Sequence, residues 1–420
     1  MNTVLNDYNI TILPNGTRII SEFIPHLKSF SLGFWFNVGA RDENNSNNGI
    51  SHFIEHMLFK GTKRRSSKRI AEEIESQGGY LNAFTSKEHT CYYTKGLSEN
   101  LGKSFTVLAD MIQNPLFRKS HILKEAGVII DELNDVNDNP EELIFDKFEE
   151  VIFKGNRLSM PVIGTEGNIR RFSSDTLHKY HRSRYNTSKL LIVASGAVKH
   201  DELVRLAEKE IVKGKSNPGL KREKFVNRKS NDLMLDKEIH QVHSIIGRSA
   251  PGLNSKRRNG LKVLSTLLGE GSSSRLFLAI REKLGITYQI TSFLNSYQDV
   301  SSFGVYYSTN EHQSERVLEI VLREFRKLRE RKVTEKELSK VKAYIKGGTL
   351  LSLENTTNRM MRIANSMLYF NRIVPVDEYL KKIEDVSTEQ IYRLANDILD
   401  ENKLVKVILK SNQQKMPDAA

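Results

Sequence analysis

The chain has 420 residues, more than one hydrophobic core usually organises, so two or more domains are expected. It is 38% hydrophobic and 27% charged, and no run approaches the roughly 18 apolar residues of a membrane span, so a helical membrane protein is not expected. Its single cysteine, Cys91, allows neither an intrachain disulfide nor a thiolate metal cluster; any metal must be held by histidine and carboxylate.

In chain order, the first sixteen residues lack a basic head followed by an apolar stretch. They predict no signal peptide and a cytoplasmic protein, a reading compatible with a presequence already removed. Residues 31–40 (SLGFWFNVGA) alternate as a strand does. Residues 49–59 place Ile50, Phe53, Ile54, Met57 and Leu58 at the spacing of an amphipathic helix, with Gly61 set to end it. Helices are predicted over residues 67–77, stopped by Gly78 and Gly79, and over 101–112, ending near Pro115. Residues 121–134 also have helical spacing, and residues 190–198 (LLIVASGAV) suit a buried strand.

The densest basic run, residues 213–229, has Pro218 and Gly219 at its centre and reads as a solvated linker, not a nucleic-acid surface. The net charge of +13 is otherwise scattered among 51 acidic residues. The expected domains are residues 1–212, a basic linker over 213–236, and residues 237–420. The halves echo each other. Gly49 opens GISHFIEHMLF and Gly260 opens GLKVLSTLLGE, while Tyr92-Tyr93 and Tyr306-Tyr307 recur at nearly the same offset, each before a helical pattern. A duplicated domain is the economical explanation. Strands mixed with clustered helices predict an α+β class: two homologous α/β sandwiches with antiparallel-rich sheets.

The chemistry concentrates in His52-Phe53-Ile54-Glu55-His56. Two histidines four apart on a helix project one turn apart from one face, which lets both reach a single Zn²⁺. Glu55 lies on the same side, where it can serve a water without being a ligand. The order H-x-x-E-H inverts the H-E-x-x-H zinc-peptidase motif, and this composition would produce it by chance only about 0.03 times. A catalytic zinc takes a third protein ligand. Glu125 and Glu132, two turns apart on the 121–134 helix, share a face, so one would coordinate and the other would orient a ligand.

HFIEHMLFKGT at residues 52–62, LNAFTSKEHTCYY at 81–93, VIIDELNDVNDNPEELIFD at 128–146 and GEGSSSRLFLAIREKLGITYQITS at 269–292 together resemble the zinc-peptidase family of pitrilysin, insulysin and the mitochondrial processing peptidase. The resemblance spans nearly the whole chain, and the length matches the family's shorter branch, which works as pairs of chains. It implies a zinc endopeptidase acting on peptides or unfolded polypeptides, with one Zn²⁺ per chain. His52, His56 and Glu132 would be the ligands, Glu55 the general base, and Glu125 the acid behind them. Asn82, Ala83 and Phe84 match the edge strand along which the family extends its substrate by backbone pairing, with Phe59 beside it at the end of the motif helix. Arg281 and Tyr288 match residues that grip the substrate backbone and polarise the scissile carbonyl. Glu142 and Asp146 match acids that receive an arginine near the cleavage site. Aligning Gly49 with Gly260 puts Val263, Thr266 and Leu267 where His52, Glu55 and His56 stand, so the second half would carry no metal. Because one chain has both the ligands and the Arg-Tyr pair, the resemblance implies a homodimer enclosing a chamber with composite sites. The competing expectation is a non-catalytic core subunit of the same family.

Overall fold

The computed structural model describes residues 8–212 and 221–411. Up to residue 212 the chain forms β1 (Tyr8–Ile12), β2 (Arg18–Phe23), β3 (Ser29–Phe36), α1 (Ile50–Leu58), α2 (Ser67–Glu75), β4 (Tyr80–Thr85), β5 (Thr90–Leu97), α3 (Leu101–Gln113), α4 (Lys119–Asp138), α5 (Pro140–Ile152), α6 (Glu166–Ile169), α7 (Ser174–Arg184), β6 (Leu191–Gly196) and α8 (His200–Glu210). After residue 221 come β7 (Leu233–Asp236), β8 (Val242–Pro251), α9 (Arg258–Gly269), β9 (Gln289–Ser296), β10 (Val300–Thr309), α10 (Glu311–Glu330), α11 (Glu335–Ser352), α12 (Thr356–Phe370), α13 (Val376–Glu384), α14 (Thr388–Ile398) and β11 (Val405–Lys410).

The strands form two sheets, ordered β1-β2-β6-β3-β5-β4 and β7-β11-β8-β10-β9. Leaving β1 aside, the two orders correspond strand for strand. Each sheet has one parallel pair, β2 with β6 and β7 with β11, and is otherwise antiparallel. Tyr92 and Tyr93 lie on β5, and Tyr306 and Tyr307 on the corresponding β10. The repeat seen in the sequence is therefore a repeat of topology, and the fold is the expected pair of antiparallel-rich sheets layered with helices.

The chain does not divide at one point. One compact unit takes the described residues of Met1–Asn134, Met160–Arg222 and Leu351–Pro375, and the other takes Asp135–Ser159, Glu223–Leu350 and those of Val376–Ala420. Each repeat thus gives a helix to the other's unit. In the first unit, Met360, Ile363, Ala364 and Met367 of α12 pack with Ile20, Trp35, Leu191 and Val193 of the sheet. In the second, Leu143, Ile144, Phe148 and Ile152 of α5 pack with Ile245, Tyr306, Val407 and Leu409. Both donated helices start alike: the Asn139 and Asn355 side chains accept backbone N–H groups of the first turn, satisfying donors that a helix start leaves open. Boundaries at 212 and 237 do not anticipate this exchange. An amphipathic helix has the same apolar period whichever sheet it covers.

Residues 213–220 of the expected linker lie outside the described residues. Beyond them Lys221, Glu223, Lys224 and residues 226–229 are exposed, as a solvated linker would be, but two side chains depart from that reading. The Arg222 guanidinium donates to Asp42 at 2.9 and 2.7 Å and its side chain is only 10% exposed, while Phe225 is partly buried against the second unit's core. A cation beside a buried carboxylate is held out of water by that partner. The strand expected over 31–40 ends at Phe36. It is buried on both faces: Phe30, Leu32, Phe34 and Phe36 join one core, and Trp35 meets α12.

Candidate metal centre

Helix α1 buries Ile50, Phe53, Ile54, Met57 and Leu58 in the first unit's core, leaving His52, Glu55 and His56 half-buried on the opposite stripe. The two imidazole rings sit 4.7 Å apart, centroid to centroid. Helix α4 reaches the same core through Ile122, Ile129 and Ile130, and that anchoring turns Glu125 and Glu132 toward α1. Glu132 Oε1 is 3.6 Å from His52 Nε2, and Glu132 Oε2 is 3.5 Å from His56 Nε2. One donor atom from each of the three residues lies within 4.8 Å of the others. Donors around a tetrahedral zinc lie roughly 3.3 Å apart, close to the two separations between Glu132 and the histidines.

The surrounding bonds suit that role. His56 Nδ1 donates to Glu125 Oε1 at 3.0 Å, which in the neutral ring leaves the Nε2 lone pair facing Glu132. Lys60 Nζ, on the other side, binds Glu125 Oε2 at 2.8 Å. His52 also turns Nε2 to Glu132, while its Nδ1 is buried with no hydrogen-bond partner among the described residues. Thr85 Oγ1, at the end of β4, donates to Glu55 Oε2 at 2.6 Å.

Burial sets most of the electrostatics. It pushes His52 down to about 3, assisted by His56, so this imidazole is neutral and its lone pair available. Burial also raises Glu55, as expected of a base away from water, although the Thr85 bond and His56 oppose it. For His56 burial is the largest single influence and lowers the value, but the Glu125 bond and the charges of Glu132, Glu55 and Glu125 together hold it above normal. Glu125 is held below the usual carboxylate range: burial alone would raise it, and His56 and Lys60 outweigh that. Two neutralisable imidazoles and a carboxylate converging on one point fit a catalytic zinc site.

The other expected residues are placed as follows. Asn82, Ala83 and Phe84 lie on β4, which ends its sheet and, among the described residues, pairs only with β5. Ala83 packs on the α1 side; Phe84 stacks edge-on against Trp35 on the other. The Asn82 side chain donates to Tyr80 at 2.6 Å. Phe59 is half-buried against Ile70, Ile74, Val107 and Met111. Arg281, Tyr288, Glu142 and Asp146 all belong to the second unit. Arg281 sits in a π-helical turn with its guanidinium over the Phe277 ring, and Tyr288 is 71% exposed. Within that unit Gln289 Nε2 donates to Glu141 Oε1 at 3.0 Å, tying the residue after Tyr288 to the helix of Glu142 and Asp146.

Lys60 was not anticipated as a site residue, and Thr85 was expected only as the end of the substrate-pairing strand from Leu81, not as a partner of Glu55. Strand alternation carries the signal for Thr85, since Leu81, Ala83 and Thr85 share a face. Lys60 stands one turn beyond His56, the spacing that carried the motif itself.

A model of the insulinase family, peptidase family M16, matches residues 18–166, and one of the M16 inactive domain matches residues 171–345. An uncharacterized zinc protease of Streptomyces coelicolor is 33% identical over 413 residues, covering 96% of this chain and 90% of its own length. One from Bacillus subtilis is 33% identical over 401 residues, covering 94% of this chain and 97% of its own. The chain belongs to peptidase family M16. The crystal structure of a Helicobacter pylori protease matches with a TM-score of 0.91 at 23% identity, over 97% of this chain and all of that one, which shows the shared fold.

Proposed function

We propose that this protein is a zinc endopeptidase, with the metal held by His52, His56 and Glu132 and one ion per chain. The observation that carries the proposal is the meeting of two Nε2 atoms and a carboxylate from separate helices within 4.8 Å, inside a family whose relatives are named zinc proteases. The inactive-domain model falls on residues 171–345, away from these donors, so it does not argue for a non-catalytic core subunit.

Zinc, when bound, lowers the pKa of water from 15.7 towards about 7 and polarises a carbonyl oxygen. Glu55 takes the proton of the attacking water and returns it to the leaving nitrogen. Thr85 holds one Glu55 oxygen, leaving the other for the proton. The open edge of β4 receives an extended peptide by backbone pairing along Asn82, Ala83 and Phe84. Arg281 grips the substrate backbone and Tyr288 donates to the developing oxyanion; the exposure of Tyr288 suits a residue that waits for substrate. Glu142 and Asp146 receive an arginine near the cleavage site, a guanidinium being well matched to paired carboxylates. Two chains act as a homodimer around a chamber, with each Arg281–Tyr288 pair serving the partner's zinc.

Metal analysis of the purified protein with mass-spectrometric mapping of cuts in unfolded peptides tests the reading. It expects one zinc per chain and internal cleavage, and absence of both defeats it. Mixing Glu55→Gln and Arg281→Ala chains tests action in trans; a mixture as inactive as its parts rejects it.

A further inference from the structure

The start of α1 presents a local problem. A helix opens with unpaired N–H groups, commonly satisfied by a Ser, Thr, Asp or Asn at the N-cap. Here the N-cap is Gly49, with φ at +96°, and it supplies no side-chain bond. A larger residue would not fit, since a Cβ there would sit 2.7 Å from the Ile163 carbonyl and 2.8 Å from Gly164 Cα. The first turn of α1 holds no acidic residue either.

The cap comes instead from upstream. Glu43 is fully buried. Its Oε2 accepts the Gly49 N–H at 2.7 Å and its Oε1 the Ser51 N–H at 2.8 Å, and Asn48 Nδ2 donates to Oε2 at 3.0 Å. The same turn is tied outward. Asn48 Nδ2 reaches the Pro161 carbonyl at 2.9 Å, Asn168 Nδ2 reaches the Asn48 carbonyl at 3.1 Å, and Ser51 Oγ meets Tyr180 OH at 3.0 Å. A carboxylate at a helix N-terminus also faces the positive end of the backbone dipole. Ser51, whose N–H Glu43 receives, is the residue before His52.

We propose that Glu43 is a positioning residue for the metal centre: by capping α1 from outside the helix it sets the first turn, and so the place of the His52 imidazole relative to His56 and Glu132. This inference rests on the zinc-peptidase reading. It assigns Glu43 no contact with substrate or metal.

The test compares zinc affinity, by chelator competition, and peptide turnover in wild type, Glu43→Gln and Ser195→Ala. The Gln side chain keeps the volume but turns an NH₂ toward a backbone donor. Ser195→Ala removes a different buried hydrogen bond to a carboxylate, Ser195 Oγ to Glu22 at 2.7 Å, in the same unit and away from α1. The expected result is zinc binding weakened on the order of ten-fold in Glu43→Gln, with turnover recovering as zinc is raised, and wild-type affinity in Ser195→Ala. Should Glu43→Gln fail to fold, Glu43→Asp, which keeps both acceptors but draws them back, is read the same way. A folded Glu43 variant with wild-type zinc affinity overturns the inference alone. A wild type that binds no zinc overturns the peptidase reading and this inference with it.

Discussion

Thr85 Oγ1 donates a 2.6 Å hydrogen bond to Glu55 Oε2, so the two oxygens of the proposed base are not equivalent. One is held by the edge strand, and the other is left to meet water. Thr85→Val keeps the shape and removes the donor. It is expected to lower kcat about ten-fold, the scale of one hydrogen bond, with zinc content unchanged, while Thr85→Ser stays near wild type. A Val variant as fast as wild type would deny the bond any part in turnover.

Glu55 is not among the converging metal donors, so metal retention and proton transfer separate at this residue. Glu55→Gln is expected to bind zinc normally and lose turnover by about 10²–10⁴-fold, the usual contribution of a positioned base. Metal content and peptide hydrolysis measured on the same sample decide it. Loss of zinc would make Glu55 a ligand, and retained activity would remove it from the chemistry.

Lys60 is linked to the proposed zinc ligand His56 through Glu125. Removing its charge leaves the buried Glu125 carboxylate with less to offset its desolvation. Lys60→Met is therefore expected to weaken zinc binding about ten-fold while the fold survives, by analogy with other residues that orient a ligand. Equal dissociation constants for variant and wild type would show the Glu125–His56 bond to be sufficient alone.

Burial raises the Glu43 carboxyl from a usual value of 4.5 to about 7, despite the opposing bonds from Ser51, Gly49 and Asn48. Between those values the folded protein keeps a proton that the unfolded chain has released. Stability from this group is therefore fully present below 4.5, falls as pH rises through the window, and levels off above about 7, a total of about 3 kcal/mol. Glu43→Gln lacks that proton. Urea unfolding of both proteins across the window should show wild type losing ground to the variant as pH rises; a constant difference between them would contradict the shift.

The motif on α1 was legible because helical period alone puts His52, Glu55 and His56 on one stripe and the apolar residues on the other. The same period showed that Glu125 and Glu132 share a face of α4. It could not show which of them coordinates, and the family resemblance made that assignment. In the structure the difference is one of depth. Glu125 lies deeper, between His56 and Lys60, and Glu132 further along at the two Nε2 atoms. The cap from Glu43 had no sequence signal, since an acid several residues before a glycine is ordinarily a loop residue.

What the sequence determined by itself was local or repeated: the pair of histidines, the amphipathic elements around them, the lack of a metal motif in the second half, and the duplication. These follow from periodicity, which acts over one or two turns, and from a copied order of elements. The approach of α4 to α1, the bond from Thr85, and the exchange of α5 and α12 between units were decided by tertiary structure. An apolar stripe says that a helix must be covered, but many surfaces cover it equally well in area. Which one does so depends on side chains far apart in the chain packing together without voids.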